Sequence, residues 1–279
     1  PRGPEPDQDM VKLDLAAGEN RLLVKIFNIS GGCGFYFAAG NIRSAPVDGN
    51  PQALRLAIED LSQTFPGQYT RGPEFLKRLE RLEDQPDPEA LRELQREALL
   101  ANPLLNFDRL MVVKRGAGQL GLPQNWQGNC AIPGTGYDNE IAVLSPVRPD
   151  GKLTTFYKPE GRKFVGDVDL NFEADKLLFS SIGSHNRWQI FELKADGTGL
   201  RQVTPTDQPD VDNYDPCYLP SGKIVFGSTA CFQGVPCVGG GNTVANLYLM
   251  DSDGKNLRRL TFDQDHDWCP VVMNNGRIL

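Results

Sequence analysis

The sequence has 279 residues, 39% of them hydrophobic and 23% charged, which allows one large globular domain or two ordinary ones. Its net charge of −7 leaves no basic face to neutralise phosphates, which argues against nucleic acid or an anionic membrane as the main partner. No apolar run approaches the roughly 20 residues of a membrane span, and 29 Gly with 21 Pro favour turn-rich β-structure.

Residues 1–45 are predicted to form the last strands of a β-sandwich. In "VKLDLAAGENRLLVKIFN", apolar residues alternate at Val11, Leu13 and Leu15, and a turn precedes a second strand from Leu22 to Phe27. The sequence begins without an initiator Met or a signal peptide, and its last residues, "NNGRIL", end inside a predicted strand. We therefore expect the chain to be a piece of a longer protein.

Residues 46–103 are predicted to form a helical linker or small subdomain. Apolar residues recur at helical spacing at Leu54, Ile58, Leu61 and Phe65. A later helix is predicted in "DPEALRELQREALL", where Asp87 suits the N-cap position and the following proline suits the first helical position.

Residues 104–279 contain a repeat. "QIFELKADGTGLRQVTP" (189–205) and "NLYLMDSDGKNLRRLTF" (246–262) align without a gap, and each places Asp-Gly between two apolar runs, which is a strong hairpin signal. A third Asp-Gly lies at 150–151. A repeat of roughly 40–50 residues is typical of a propeller blade.

The other half of the repeat also recurs. "ADKLLFSS" (174–181) resembles "SGKIVFGS" (221–228). Each is preceded by a short segment, called here the approach segment, that leads into its blade and is predicted to form the inner strand. The fold class is therefore mainly β. We predict a partial β-propeller of four-stranded blades, with two clear blades at about 164–206 and 211–262, preceded by the β-sandwich remnant and the helical linker.

The approach segments carry candidate metal ligands. By the repeat register, "TDQPDVDNYDP" and "DQDHDW" take equivalent places in adjacent blades, near the mouth of the central channel. Oxygen-rich clusters suit Ca²⁺, and a histidine would allow a transition metal. The alternatives are aspartates that only shape the turns between blades, or a catalytic carboxylate. The candidate metal ligands are Asp212, Asp215, Asp265, His266 and Asp267.

The six cysteines include no C-x-x-C pair, which argues against zinc ribbons and thioredoxin-type sites, and no C-x-x-C-H haem attachment motif. Cys231 and Cys237 flank a glycine-rich insertion and form a candidate disulfide, with free thiols or a metal site as the alternatives. His266 and Cys269 are either a buried structural pair or ligands of a metal or haem.

The repeated unit resembles the blade of TolB-type β-propellers, which ends in D-G-x-x-L-R-x-L-T. This resemblance implies the propeller fold and is nearly silent on function. The residues that carry it are Asp196, Gly197, Leu200, Arg201 and Thr204, and then Asp253, Gly254, Leu257, Arg258, Leu260 and Thr261.

A narrower resemblance is to the propeller-containing middle region of hydrazine synthase alpha-subunit-like proteins, which are large secreted multidomain chains. "STACFQGVPCVGG", "LTFDQDHDWCP" and "NNGRIL" carry it, and "GENRLLVKIFN" looks like the end of a galactose-binding-like β-sandwich. In the enzyme of that family, c-type haems carry the redox chemistry. Without C-x-x-C-H here, haem would have to be supplied from outside this sequence.

Two functions follow as hypotheses. The first is a ligand- or protein-binding, scaffolding propeller in a large extracytoplasmic (periplasmic or secreted) protein, which binds a protein or small ligand on its loop face. The second is part of a haem-dependent redox enzyme, with metal or haem contacts from His266 and nearby cysteines. No residue is assigned as catalytic. No cofactor is expected within this sequence, and Ca²⁺ or another divalent cation is a candidate only.

Overall fold

The computed structural model describes residues 50–124 and 127–279. The strands predicted in residues 1–45 therefore lie outside the described residues. The chain divides into two compact units, Pro1–Leu105 and Asn106–Leu279. Among the described residues, no helix has the length and apolar character needed to cross a bilayer.

Three helices form the described part of the first unit: α1 (Pro51–Thr64), α2 (Gly72–Asp84) and α3 (Pro88–Leu100). The side chain of Asp87 caps α3 by accepting hydrogen bonds from the amides of Glu89 and Ala90, as the sequence predicts. The predicted apolar stripes pack into one core, in which Ile58, Phe75 and Leu94 are fully buried. The helical prediction is thus confirmed, and these helices share a core of their own.

The described residues of the second unit form three antiparallel sheets, one for each repeat. Blade 1 has the order β1-β2-β3, blade 2 the order β4-β5-β6-β7, and blade 3 the order β8-β9-β10-β11. The strands are β1 (Leu110–Lys114), β2 (Glu140–Ser145), β3 (Lys152–Tyr157), β4 (Val165–Leu170), β5 (Lys176–Ile182), β6 (Trp188–Lys194), β7 (Arg201–Gln202), β8 (Asn213–Tyr218), β9 (Ile224–Ser228), β10 (Asn246–Met250) and β11 (Arg258–Arg259). The predicted mainly β fold with four-stranded blades is confirmed, although blade 1 has three strands among the described residues.

The Asp-Gly pairs form the predicted turns between the third and fourth strands of blades 2 and 3. Gly197 and Gly254 have φ of 85° and 83°, the left-handed region that favours glycine. The preceding aspartates cap these turns, since Asp196 Oδ1 accepts a hydrogen bond from the amide of Thr198 at 2.8 Å. A Cβ on Gly254 would lie 2.1 Å from the carbonyl oxygen of Val203, so this turn also contacts the neighbouring blade.

Successive blades bury each other's faces, because no sheet in this unit can cover both of its own faces. Leu178 and Ile190 of blade 2 pack with Ile224, Phe226 and Met250 of blade 3 in one core cluster. Ile141 of blade 1 packs in the same way with Val165, Leu177, Phe179 and Leu193 of blade 2.

The repeated threonine after each outer strand bonds to the third strand of its own blade, and in blade 3 it also bonds to the segment that follows the blade. The hydroxyl of Thr204 accepts a hydrogen bond from the amide of Ile190 at 3.3 Å and donates one to Gln189 Oε1 at 2.5 Å. Thr261 accepts from the amide of Leu247 at 3.0 Å and donates to Asp267 Oδ2 at 2.6 Å. The threonine that ends each repeat therefore has a hydrogen-bonding role.

Replacing Thr204 with valine should destabilise the second unit, called here the β unit. The variant Thr204→Val keeps the shape of the side chain but removes both hydrogen bonds at a buried position, which costs about 1–3 kcal/mol. Urea denaturation measures the free energy of unfolding. Thr206→Val, at an exposed position nearby, should leave that free energy almost unchanged, and an equal effect of the two substitutions would contradict this role.

Candidate functional site

The inner strands of blades 2 and 3 are each interrupted by a β-bulge that turns one side chain out of the ladder. The register shifts between Gly166 and Asp169 in β4 and between Tyr214 and Cys217 in β8. The bulged residues, Asp167 and Asp215, have φ of 50° and 52°, and Cys269, at the equivalent place in the next repeat, has φ of 51°. Asp is one of the few side chains that adopt this conformation readily.

These three residues, called here the bulge row, contact one another in order. The carboxyl groups of Asp167 and Asp215 are close enough that each changes the pKa of the other. Asp215 Oδ2 also accepts a hydrogen bond from the amide of Cys269 at 3.2 Å and lies 3.6 Å from its Sγ. Asn129, from the loop after β1, donates to Asp167 Oδ2 at 2.6 Å, so this loop also contributes to the row.

Two adjacent carboxyl groups, of which Asp215 is buried and Asp167 partly buried, cannot both be ionised at low cost, so they share a proton. Burial, and then the charge of Asp167, raise the pKa of Asp215 from 3.8 to about 7. Burial likewise raises the pKa of Asp167, against the hydrogen bonds from Ser180 and Asn129 and the charge of Arg115. The pKa of the Cys269 thiol is raised to about 12, first by burial. The row therefore holds an exchangeable proton near neutral pH.

The raised pKa of Asp215 predicts that stability falls as the pH rises through this range. Between pH 3.8 and about 7 the unfolded chain releases a proton that the folded chain keeps. Asp215→Asn removes this loss while keeping an acceptor for the Cys269 amide. The free energy of unfolding of Asp215→Asn, relative to that of the wild-type protein, should therefore increase between pH 4 and pH 7 by up to about 4 kcal/mol. Above pH 7 this difference should stay constant.

Urea denaturation across this pH range tests the prediction. Asp263→Asn, at an exposed position, is the matched control and should follow the wild-type curve. A stability difference between Asp215→Asn and the wild-type protein that does not change with pH would contradict the shared proton.

Two of the predicted metal ligands instead connect neighbouring blades through hydrogen bonds. Asp212 Oδ1 accepts a hydrogen bond from the amide of Trp188 at 3.0 Å, and His266 Nδ1 accepts one from the amide of Ala245 at 3.1 Å. Trp188 and Ala245 hold the same place in the repeat, just before or at the start of the third strand. Each acceptor therefore belongs to the segment that leads into the following blade and fixes that segment to the blade before it.

His266 must be neutral at Nδ1 to accept this hydrogen bond. Burial lowers the pKa of His266 below its ordinary 6.5, so the unfolded chain takes up a proton first as the pH falls. Stability should therefore decrease below about pH 6.5. The ring also packs on Trp268, with centroids 4.9 Å apart.

Replacing His266 with phenylalanine separates the hydrogen bond from the ring contact. His266→Phe should lose about 1–3 kcal/mol at pH 8, because the buried amide of Ala245 is left without an acceptor. The difference from the wild-type protein should shrink at pH 5, where the wild-type histidine is also penalised. Denaturation at the two pH values measures both effects, and a difference that is constant with pH would rule out the neutral acceptor.

The loops between β1 and β2, β5 and β6, and β9 and β10 meet at one end of the blades, called here the loop face. Cys130 Sγ, in the first of these loops, lies 3.7 Å from Tyr214 Oη and 3.6 Å from the carbonyl oxygen of Thr243 in the third. Gly128 allows this approach, since a Cβ there would lie 2.2 Å from the hydroxyl of Tyr214. The first loop therefore packs against blade 3.

The loop face contains a pocket of about 270 Å³. One wall carries the Arg187 guanidinium, whose Nη1 lies 3.4 Å from Asp212 Oδ2, and Nη2 lies at the same distance from Asp210 Oδ1. Burial raises the pKa of Asp212 despite this partner and the Trp188 amide. The residues lining the pocket include Cys130, Ile132, Thr135, Asn186, Arg187 and Asp212. A half-exposed cation beside a buried carboxylate can orient a small polar or peptide ligand.

The five predicted metal ligands do not form one site. Asp212 lies in the wall of the loop-face pocket, whereas Asp215 belongs to the bulge row. Asp267 Oδ2 accepts from Asn246 Nδ2 at 3.0 Å, and Asp265 Oδ1 accepts from the amide of His266 at 2.9 Å. Among the described residues, no three histidine, cysteine or acidic side chains are grouped so that they could hold a metal ion.

The cysteines are likewise separated. Cys231 and Cys237 are both free, and the thiol of Cys231 donates instead to the carbonyl oxygen of Val244 at 3.2 Å, so the candidate disulfide is not formed here. Cys269 contacts Asp215 and not His266. His266 Nδ1 is bonded to the Ala245 amide, and Nε2 is buried without a hydrogen-bond partner among the described residues, so a metal or haem contact from His266 stays a prediction.

Sequence reasoning missed Asp167, Asn129 and Arg187 as members of these sites. The signal for Asp167 was available, because "VGDVDL" aligns with "NYDPCY" and "DWCPVV" so that Asp167, Asp215 and Cys269 coincide. Asn129 and Arg187 carry no such signal, because each lies in a loop whose length differs between the blades.

Comparison with known proteins gives similar structures only. No protein-family model matches the sequence, and no curated protein matches it. A putative TolB from Agrobacterium tumefaciens is 18% identical (TM-score 0.35), over 47% of this chain and 41% of that one. Kuenenia stuttgartiensis hydrazine synthase is 14% identical (TM-score 0.45), over 61% of this chain and 27% of that one. TolB from Acinetobacter baumannii is 16% identical (TM-score 0.35), over 50% of this chain and 31% of that one.

The chain thus spans less than half the length of each of these structures. At such identities and TM-scores the propeller assignment rests on the sheet topology of the chain itself.

Proposed function

We propose that this chain is a binding and scaffolding segment of a β-propeller, and that its loop face binds a short peptide segment or a small polar ligand. The observation that carries this proposal is the pocket of about 270 Å³ between the loops of blades 1 and 2 and the approach to blade 3. Loops on a rigid scaffold are where propellers and other repeat folds most often bind ligands.

The chemistry of the pocket supports a charged or polar ligand. Arg187 and Asp212 supply fixed charges of opposite sign in a pocket whose lining is mainly polar. The Arg187 side chain is held by the carbonyl oxygen of Pro209 at 3.0 Å, so little ordering remains to be lost on binding.

We further propose that the segment belongs to a large extracytoplasmic protein of the hydrazine synthase alpha-subunit-like type, as its sequence resemblance implies. In an oxidising compartment the Cys231–Cys237 disulfide stays a prediction. The haem-dependent alternative gains no support from the described residues, because neither His266 nor the nearby cysteines are oriented toward a common ligand.

A selection from a peptide library tests the loop face directly. Peptides selected on the wild-type chain should lose at least about tenfold in affinity for Thr135→Trp, which fills the pocket from an exposed position. Lys152→Trp, on the exposed strand β3, is the control and should bind as the wild-type protein does. Equal thermal stability of the variants would show that the loss is local. Selecting no peptide, or only peptides that bind Thr135→Trp equally well, would overturn the proposal.

A further inference from the structure

Among residues 50–124 and 127–279, blade 1 has no strand at the inner position that β4 and β8 occupy in the other two blades. In blades 2 and 3 the third strand leads into the Asp-Gly turn and pairs with the second strand, which in turn pairs with the inner strand, β4 or β8. In blade 1 it is β2 that leads into the turn at Asp150-Gly151, so β1 holds the position of β5 and β9. No described segment pairs with the other edge of β1.

The residues of β1 are less buried than their counterparts in the other two blades. Three residues hold equivalent positions, because each pairs with a residue near the end of the strand that leads into the turn. The pairs are Leu110 with Leu144, Leu177 with Leu193, and Ile224 with Met250. Leu177 and Ile224 are fully buried, whereas Leu110 is 38% exposed. All of β9 and nearly all of β5 are buried, but no residue of β1 is. An apolar strand with an uncovered edge is a template for pairing with another strand.

A groove of about 700 Å³ lies along this edge. Its walls are β1, with the preceding Phe107, and the inner strand β4, with Asp167, Val168 and Leu170. The inner strands of adjacent blades pack against each other, as β4 does with β8. An inner strand of blade 1 would therefore pair with β1 and pack against β4, and these are the two elements that line the groove.

We propose that this groove binds an extended polypeptide segment from outside this chain, which adds to β1 as an antiparallel fourth strand. Main-chain hydrogen bonds to the edge would give the affinity, and side chains facing β4 would give the specificity. The expected segment has the chemistry of β4, "VGDVDL", which is apolar with acidic residues between.

The charge at the groove favours such a segment over a second copy of this chain. Arg109 and Arg115 lie beyond the two ends of β1 and both line the groove, and Arg109 has no ion-pair partner among the described residues. Antiparallel pairing of two β1 strands about Val112 would set Arg109 opposite Arg115. Like charges in opposed positions are unfavourable, whereas acidic residues in the added strand would pair with these arginines.

A synthetic peptide tests this proposal. Fluorescein-labelled FVGDVDLN, the sequence of residues 164–171, should bind the intact chain saturably in a fluorescence anisotropy titration. Only one edge of the peptide can face β1, so N-methylation of one alternate set of amides should abolish binding, and methylation of the other set should preserve it. Binding of both methylated peptides, or no saturable binding of FVGDVDLN, would overturn the proposal.

A charge exchange locates the site. Arg109→Glu should weaken the binding of FVGDVDLN about tenfold and strengthen that of FVGKVKLN, in which both aspartates are lysines. Lys152→Glu, on the outer strand of the same blade, and Thr135→Trp, on the loop face, should change neither affinity. Unchanged affinities in Arg109→Glu would overturn the assignment of the groove.

Hydrogen exchange of the chain alone excludes the other occupants. The outward-facing amides of Leu110–Lys114 should exchange rapidly without peptide and become protected when FVGDVDLN is added. Protection before the peptide is added, whether by a second copy or by residues 1–49 of this chain, would overturn the proposal.

Discussion

The β unit depends on one constraint, which is that no blade can bury both faces of its own sheet. The faces of blades 2 and 3 therefore form one core, with Leu178 and Ile190 of one blade against Ile224 and Phe226 of the next. Apolar packing of this kind does not by itself fix the register of one blade against its neighbour. The hydrogen bonds that the Trp188 and Ala245 amides donate fix this register. Each joins one backbone donor to one side-chain acceptor in the approach segment of the next blade. Both acceptors lie on the approach segments, which also carry the bulge row.

This arrangement explains why acidic residues are frequent in the approach segments. Asp212 and Asp267 accept hydrogen bonds from a backbone amide, side-chain amides or a hydroxyl of the preceding blade. Asp215 lies instead on a bulge, where its left-handed backbone directs the carboxyl group toward its counterpart in blade 2. The same residue type thus serves two purposes a few positions apart, one in blade attachment and one in holding a shared proton.

The sequence predicted the fold more completely than the site, for identifiable reasons. Asp-Gly turns, alternating apolar runs and the cap at Asp87 depend on local geometry, which a few adjacent residues determine. The repeat then gave the blade order, and the structure confirms it. The hydrogen bonds that Asp212 and His266 make could not be predicted in the same way. Their acceptors are taken by amides in the preceding blade, a pairing over more than twenty residues that no local pattern indicates. The three described strands of blade 1 were also missed, because only the third Asp-Gly, at 150–151, marks this blade in the sequence.

Native-state hydrogen exchange at the amides of Trp188 and Ala245 tests most directly whether side chains of the approach segments lock adjacent blades together. If they do, both amides should exchange only by global unfolding, with a free energy equal to that measured by denaturation. Exchange of either amide through a local opening of much lower free energy would contradict the account.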